Sequence, residues 1–173
     1  MAYPPKSVCE EKNFNALFNK HYQTATNHIY YKCGNLQQAE DIVQDAFVKI
    51  WNRCAEVVYK TASSLLFKIC NNSLLNEFKH QKVVLQHQKV SVDYKDYESP
   101  DFIMETNDFK NKLETAINKL SVKEREVFLL SRIDKKSYKE IAEITGISIK
   151  AVEKRMSNAF INLRKTLGKD LKF

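Results

Sequence analysis

The stretch Ser137–Leu167, SYKEIAEITGISIKAVEKRMSNAFINLRKTL, holds two amphipathic segments with a glycine between them. Tyr138, Ile141, Ala142 and Ile144 recur at helical spacing, with Ser137 as N-cap and Glu140 three residues on as its capping-box partner. Thr145 and Gly146 end that short helix, because glycine enters the left-handed conformation without a steric penalty. Ile147 follows as an apolar plug. Ser148 then caps a longer helix on which Val152, Met156, Phe160, Leu163 and Leu167 share a face. Ala142 is small enough to let the two helices cross steeply at close range. The outward face of the second helix carries Ser148, Lys150, Ala151, Lys154, Arg155 and Asn158. A cationic, otherwise small face at that position fits a helix-turn-helix, whose second helix enters the DNA major groove. A plain helical hairpin with a solvated basic face has the same periodicity, but the order small residue, glycine, plug and cap within one turn favours the DNA-binding reading.

The rest of the chain is compatible with helices throughout. Its 173 residues allow one medium domain or two small ones, and with only three Gly and three Pro and 43% hydrophobic residues the composition is all-α. A net charge of +7 favours a polyanionic partner without choosing among DNA, RNA and acidic membrane. The placement of charge is more informative than its sum. Asp93, Asp96, Glu98, Asp101, Glu105 and Asp108 crowd the middle of the chain, whereas Lys and Arg dominate from Lys150 onward. No apolar run is long enough to cross a bilayer and Met1–Glu10 lacks the order of a signal peptide, so the expected location is the cytoplasm, with no membrane insertion. Cys9, Cys33, Cys54 and Cys70 form no CxxC pair and have no histidine at a ligand spacing, which predicts neither a disulfide nor a zinc site; Cys33 and Cys70 fall on helical packing faces. No metal and no cofactor is expected.

From the N-terminus, residues up to about Lys12 read as frayed, with Pro4 and Pro5 opposing regular structure. Phe14, Leu17, Phe18, Tyr22, Ala25, Ile29 and Tyr30 then keep helical spacing until Cys33, Gly34 and Asn35 break it. In Gln38–Arg53 an apolar face of Ile42, Val43, Ala46, Phe47, Ile50 and Trp51 opposes Glu40, Asp41, Gln44 and Asp45. Acids at a helix start are stabilised by its dipole, and a partner-binding role requires a basic surface to meet them. A third helix turns Leu65, Leu66, Ile69, Cys70, Leu74, Leu75 and Phe78 inward and displays Lys68, Asn71, Asn72, Asn76 and Lys79, a mixture of amides and cations suited to phosphates and base edges. Periodicity then decays. The segments are a helical domain over 10–82, a flexible acidic linker over 83–108 and a second helical domain over 109–170. In the second domain Leu113, Ala116, Ile117 and Leu120 precede a helix capped by Ser121, with Glu124 three residues on and Val127, Leu129 and Leu130 inward. Whether the two domains pack on each other is left open.

Three blocks, AEDIVQDAFVKIW (Ala39–Trp51), LLFKICNNSLLNEFKHQK (Leu65–Lys82) and Leu120–Leu167, together resemble regions 2 and 4 of bacterial RNA polymerase sigma-70 factors, closest to the small two-domain extracytoplasmic-function (ECF) group. The resemblance implies a non-enzymatic sigma factor that recruits core polymerase through its β′ and β subunits, recognises promoter DNA and helps open it. It implies core-polymerase docking by Glu40, Asp41, Gln44, Asp45, Phe47 and Trp51, contact with the melted −10 strand by Lys68, Asn71, Asn72, Asn76 and Lys79, and −35 duplex contact by Ser148, Lys150, Ala151, Lys154, Arg155 and Asn158. An anti-sigma factor is an implied partner. Rival readings are a helix-turn-helix regulator that is not a sigma subunit, a carboxylate-dependent nuclease at Glu40, Asp41 and Asp45, and a module that sequesters polymerase without reading DNA.

Overall fold

A computed structural model of the chain describes residues 7–88 and 107–167. The helices in chain order are α1 (Glu11–Cys33), α2 (Leu36–Asn52), α3 (Ala62–Gln88), α4 (Asn107–Asn118), α5 (Val122–Arg132), α6 (Tyr138–Thr145) and α7 (Ile149–Leu167), with two short 3₁₀ turns between α2 and α3. The all-helical expectation holds among the described residues. Helix α3 continues to Gln88, beyond the Lys82 boundary read from the sequence, and the acidic residues from Ser91 to Glu105 lie outside the described residues.

Local chemistry fixes the helix ends. Gly34 terminates α1 in the left-handed region (φ 72°), its N–H donating to the Tyr30 carbonyl, and the Asn35 side chain accepts from the Gln38 N–H to start α2. Ser121 with Glu124 and Ser137 with Glu140 form capping boxes at α5 and α6. At the end of α6 the N–H groups of Gly146 and Ile147 both donate to the Ala142 carbonyl, and the Ser148 hydroxyl accepts from the Ala151 N–H. The turn that defines the helix-turn-helix is therefore built as its residue order predicts.

In the first half α1, α2 and α3 enclose Ala25, Ile29, Ile42, Val43, Ala46, Ile50, Leu66, Cys70 and Leu74. In the second, α4 to α7 bury Leu120, Val127, Leu130, Ile141, Val152, Met156, Ala159 and Leu163. Burying each Val, Leu, Ile or Met side chain among these contributes ~1.5–3 kcal/mol. The halves also pack on each other, chiefly α1 against α5, with α3 meeting α6.

That packing corrects the inward face read for α3. Leu75 and Phe78 are exposed, whereas Phe67 is buried, its ring edge-on to His21 and His28 of α1, and it lines a cleft that Lys136 and Ile144 of the second half also line. A helix covered by two neighbours buries two stripes, and a single-face reading finds only one.

From Ser7 onward the frayed start is corrected as well; Pro4 and Pro5 lie outside the described residues. Ser7 pairs with Val58 in an isolated antiparallel bridge, Val8 is fully buried, and Cys9 is disulfide-bonded to Cys54 across a sequence separation of 45. The expectation of no disulfide fails because the bridge brings together two cysteines that no local spacing relates. Cys33 and Cys70 are free, and burial pushes the Cys70 thiol up to about 12, so it packs as a small apolar group. Closing a loop of this length restricts the unfolded chain and is worth about 2–4 kcal/mol. A reductant is therefore expected to lower the thermal midpoint, and Cys9→Ser to lower it equally without reductant. An unchanged midpoint in both measurements excludes a stabilising bridge.

Candidate nucleic-acid and partner interfaces

On α7, Ser148, Lys150, Lys154 and Asn158 are exposed, and the last three repeat every four residues along one stripe. Ala151 and Arg155 occupy the adjoining stripe and are half-buried. Arg155 is already engaged, with Nη1 3.8 Å from Oε2 of Glu126. On α3 the same four-residue repeat aligns Lys68, Asn72 and Asn76, all exposed, with exposed Lys79 on the following turn. Asn71 stands apart from them, half-buried, its Oδ1 accepting from Lys32 Nζ at 2.5 Å and facing His28 Nε2 at 3.2 Å. Each helix thus offers a stripe of free donors beside one residue that is tied down.

The α2 face divides in two. Asp41, Gln44 and Asp45 are exposed and Glu40 is half-buried. Asp41 and Asp45 line a polar cleft with Asn35, Gln37 and Gln38, and α3 adds Glu77 to it. Glu77 escaped the sequence reading because it stands as a lone acid among amides and lysines; only the packing of α3 beside α2 brings it to the acidic group. Phe47, expected at the docking surface, is buried. It lies beneath Phe14 and Phe18, at ring-centroid distances of 6.0 and 4.8 Å. Trp51 is exposed and stacks edge-on against Phe14 at 4.9 Å. With Tyr22 and Val48 these rings form an open apolar groove next to the carboxylates. The aromatic spacing of α1 showed in the sequence, but as core rather than as a groove wall.

Where the two halves meet, Glu126 of α5 is buried against His28, Lys32 and Arg155. His28 Nδ1 lies 3.0 Å from its Oε1, Lys32 Nζ 3.7 Å from the same oxygen, and Arg155 approaches the other. The His28 contact is close but falls short of hydrogen-bond alignment at either atom. Burial opposes ionisation of Glu126, yet the His28 contact, followed by the charges of His28, Lys32 and Arg155, outweighs it and holds the carboxyl below its ordinary value. The protons can be placed from chemistry alone. An ammonium only donates, so the Asn71 atom that Lys32 touches is the oxygen, and His28 Nε2 must donate to it.

A helix-turn-helix with a basic outer stripe, packed with a second helical unit that carries amides and lysines on one helix and carboxylates on another, defines a DNA-binding transcription protein. Sigma-70 region 2 matches residues 17–83 and sigma-70 region 4 matches residues 110–163, together well over half of the chain. The chain is 27% identical over 160 residues to the RNA polymerase sigma factor YlaC of Bacillus subtilis (strain 168), covering 88% of this chain and 91% of that protein. It is 28% identical over 158 residues to the ECF RNA polymerase sigma factor SigW of the same organism, covering 80% and 82% respectively. Among solved structures, the sigma factor RpoE from Bartonella quintana, co-crystallised with the anti-sigma factor NepR, shares the fold with a TM-score of 0.64 at 23% identity, over 92% of this chain and 99% of that one. The chain belongs to the sigma-70 family, in its ECF group, and is an RNA polymerase sigma factor. A helix-turn-helix regulator outside the family is not favoured, since region 2 is matched as well as region 4. No group of acidic, histidine and cysteine side chains fit to hold a metal occurs among the described residues, and no described helix is long and apolar enough to cross a membrane.

The Glu126 carboxyl gives a pH dependence of definite sign. Its value in the folded chain lies below the ordinary 4.5, so its contribution to stability is complete above 4.5 and is lost as the pH falls through the folded value. The thermal midpoint should therefore drop on acidification through that range, and Glu126→Gln should flatten part of the drop. Parallel profiles for the two proteins in thermal melts across the acid range would rule out this contribution.

Proposed function

We propose that Glu40, Asp41, Gln44, Asp45 and Trp51 dock the chain on a basic surface of core RNA polymerase, β′ first, while the second half engages β. Asn72, Asn76, Lys68, Lys79 and Asn71 then hold the melted −10 strand, and Ser148, Lys150, Ala151, Lys154, Arg155 and Asn158 lie over the −35 duplex. The observation that carries this reading is the separation of charge: exposed carboxylates gather on α2, whereas the exposed donor stripes lie on α3 and α7. Phe47 serves from beneath, as the buried support of the Phe14 and Trp51 rings rather than as a contact. The chain acts in the cytoplasm and supplies binding free energy; nucleotide chemistry belongs to the polymerase. An anti-sigma factor fits the apolar groove beside the acids, in keeping with the partner named for RpoE.

Stabilising a separated strand requires cations for its phosphates and polar groups for its unstacked bases, and the Lys68, Asn72, Asn76 stripe with Lys79 supplies both. On the duplex, Lys150 and Lys154 contact phosphate and Asn158 reaches base edges from the same helix face. Promoter-directed transcription by reconstituted core polymerase, with and without the chain, tests the reading; no specific initiation on a pool of genomic fragments would refute it. Asp41→Lys with Asp45→Lys should weaken polymerase association about tenfold or more. Lys154→Ala should weaken binding to all −35 sequences alike and reduce the salt slope by about one. Unchanged polymerase association in the first variant, or an unchanged salt slope in the second, removes the corresponding assignment.

A further inference from the structure

We propose that the Cys9–Cys54 bond is a reversible redox switch that sets the seating of Trp51, and through it the affinity of α2 for core RNA polymerase. The proposal rests on the assignment of α2 to polymerase docking and of the chain to the cytoplasm. Small thiols keep cysteines reduced in that compartment, and a disulfide found there is usually one that opens and closes.

The place of the bond in the fold supplies the mechanical link. Helices α1 and α2 run antiparallel, with Phe14 against Trp51 and Phe18 against Phe47. The turn at Gly34 and Asn35 joins them at one end. At the other, Cys9 stands just ahead of Glu11, where α1 begins, and Cys54 just past Asn52, where α2 ends. The bond therefore closes the open end of the hairpin. That end is also the mouth of the apolar groove, with Glu11 and Phe14 on one wall and Val48 and Trp51 on the other. Trp51 is 42% exposed and rests on Phe14, so its orientation depends on how closely the two walls are held. The other links between the Ser7–Glu10 strap and the connection from α2 to α3 are slight. They are the Ser7 bridge to Val58 and the burial of Val8, the one buried residue of the strap.

A monothiol of the glutathione class balances the exchange. Cys9 is exposed and Cys54 half-buried, so an external thiolate attacks the Cys9 sulfur; the S–S bond breaks and Cys54 leaves as a thiolate that takes up a proton. A second thiolate attacks the external sulfur of the mixed disulfide, Cys9 leaves and is protonated, and the two small thiols depart joined as their own disulfide. Two electrons have passed to the protein, and oxidised glutathione returns them by the reverse steps. Cys33 and Cys70 do not compete, because burial raises both thiols, Cys70 to about 12, and leaves neither a ready thiolate. In the closed form polymerase meets a Trp51 already held in place, whereas in the open form the same contact has first to be ordered. Oxidising conditions therefore strengthen docking.

The chain's single tryptophan makes the switch observable. Full-length wild type is equilibrated in glutathione mixtures from fully reduced to fully oxidised, and its thiols are counted by mass spectrometry after denaturing alkylation. Both forms should be populated within that range, the oxidised one with two thiols fewer. On reduction the Trp51 emission should move to longer wavelength and its acrylamide quenching constant should rise, with helix content by circular dichroism unchanged. Cys9→Ser and Cys54→Ser should match reduced wild type in either buffer. Core polymerase should bind the oxidised form about threefold to tenfold more tightly than the reduced form, and both variants with the reduced form's affinity. A bond that persists in fully reduced glutathione, or Trp51 signals that ignore its state, overturns the switch. Equal polymerase affinities of the two forms, with the Trp51 response present, overturn its control of docking. If Cys54→Ser does not fold, Cys9→Ser still decides. Absence of polymerase binding in both forms, again with the Trp51 response present, would instead sink the docking assignment and leave the redox switch standing.

Discussion

A carboxylate taken out of water needs positive charge around it, and Glu126 sets this constraint on the whole molecule. It lies on α5, but α5 supplies no cation to it; the partners come from α1 and α7. The desolvation of one acid is thus offset only when three helices from both halves assemble. That dependence agrees with the contact between the halves lying chiefly between α1 and α5.

The remaining surfaces are arranged around this seam so that opposite charges face different directions. The carboxylates of α2 with Glu77 form one polar cleft, and the aromatic groove of Phe14, Phe18, Tyr22 and Trp51 adjoins it. The donor stripes of α3 and α7 keep their lysines in water, where they attract phosphate at long range and lose affinity as salt rises.

What the sequence makes legible is whatever one helix decides by itself. The capping boxes at Ser121 and Ser137, the Gly34 and Gly146 terminators and the free stripes of Lys68, Asn72 and Asn76 and of Lys150, Lys154 and Asn158 all follow from residue type and spacing. What it hides depends on a second, distant element. Cys9 and Cys54 meet through the Ser7 and Val58 bridge, Val8 is buried by the same contact, and Glu126 looks like any solvated acid on a helix until α1 is set beside it. Phe67 and Asn71 were hidden for the same reason: both lie off the main apolar stripe of α3, and their burial is conferred by a neighbour. Phe47 is the converse case, a residue whose family role suggested a contact surface but whose apolar chemistry places it under the rings that form one.

The two kinds of residue also lie in different places. Side chains fixed by local chemistry make up the exposed stripes of α3 and α7 and the carboxylates of α2. Side chains fixed by distant partners make up the seam, and Asn71 and Arg155 stand where a stripe borders it. The two regions are held by different forces. Within each half apolar burial dominates, and a core costs several kcal/mol to disrupt. Between the halves a desolvated cluster of charges contributes less, because its pairing is nearly offset by the water it gives up.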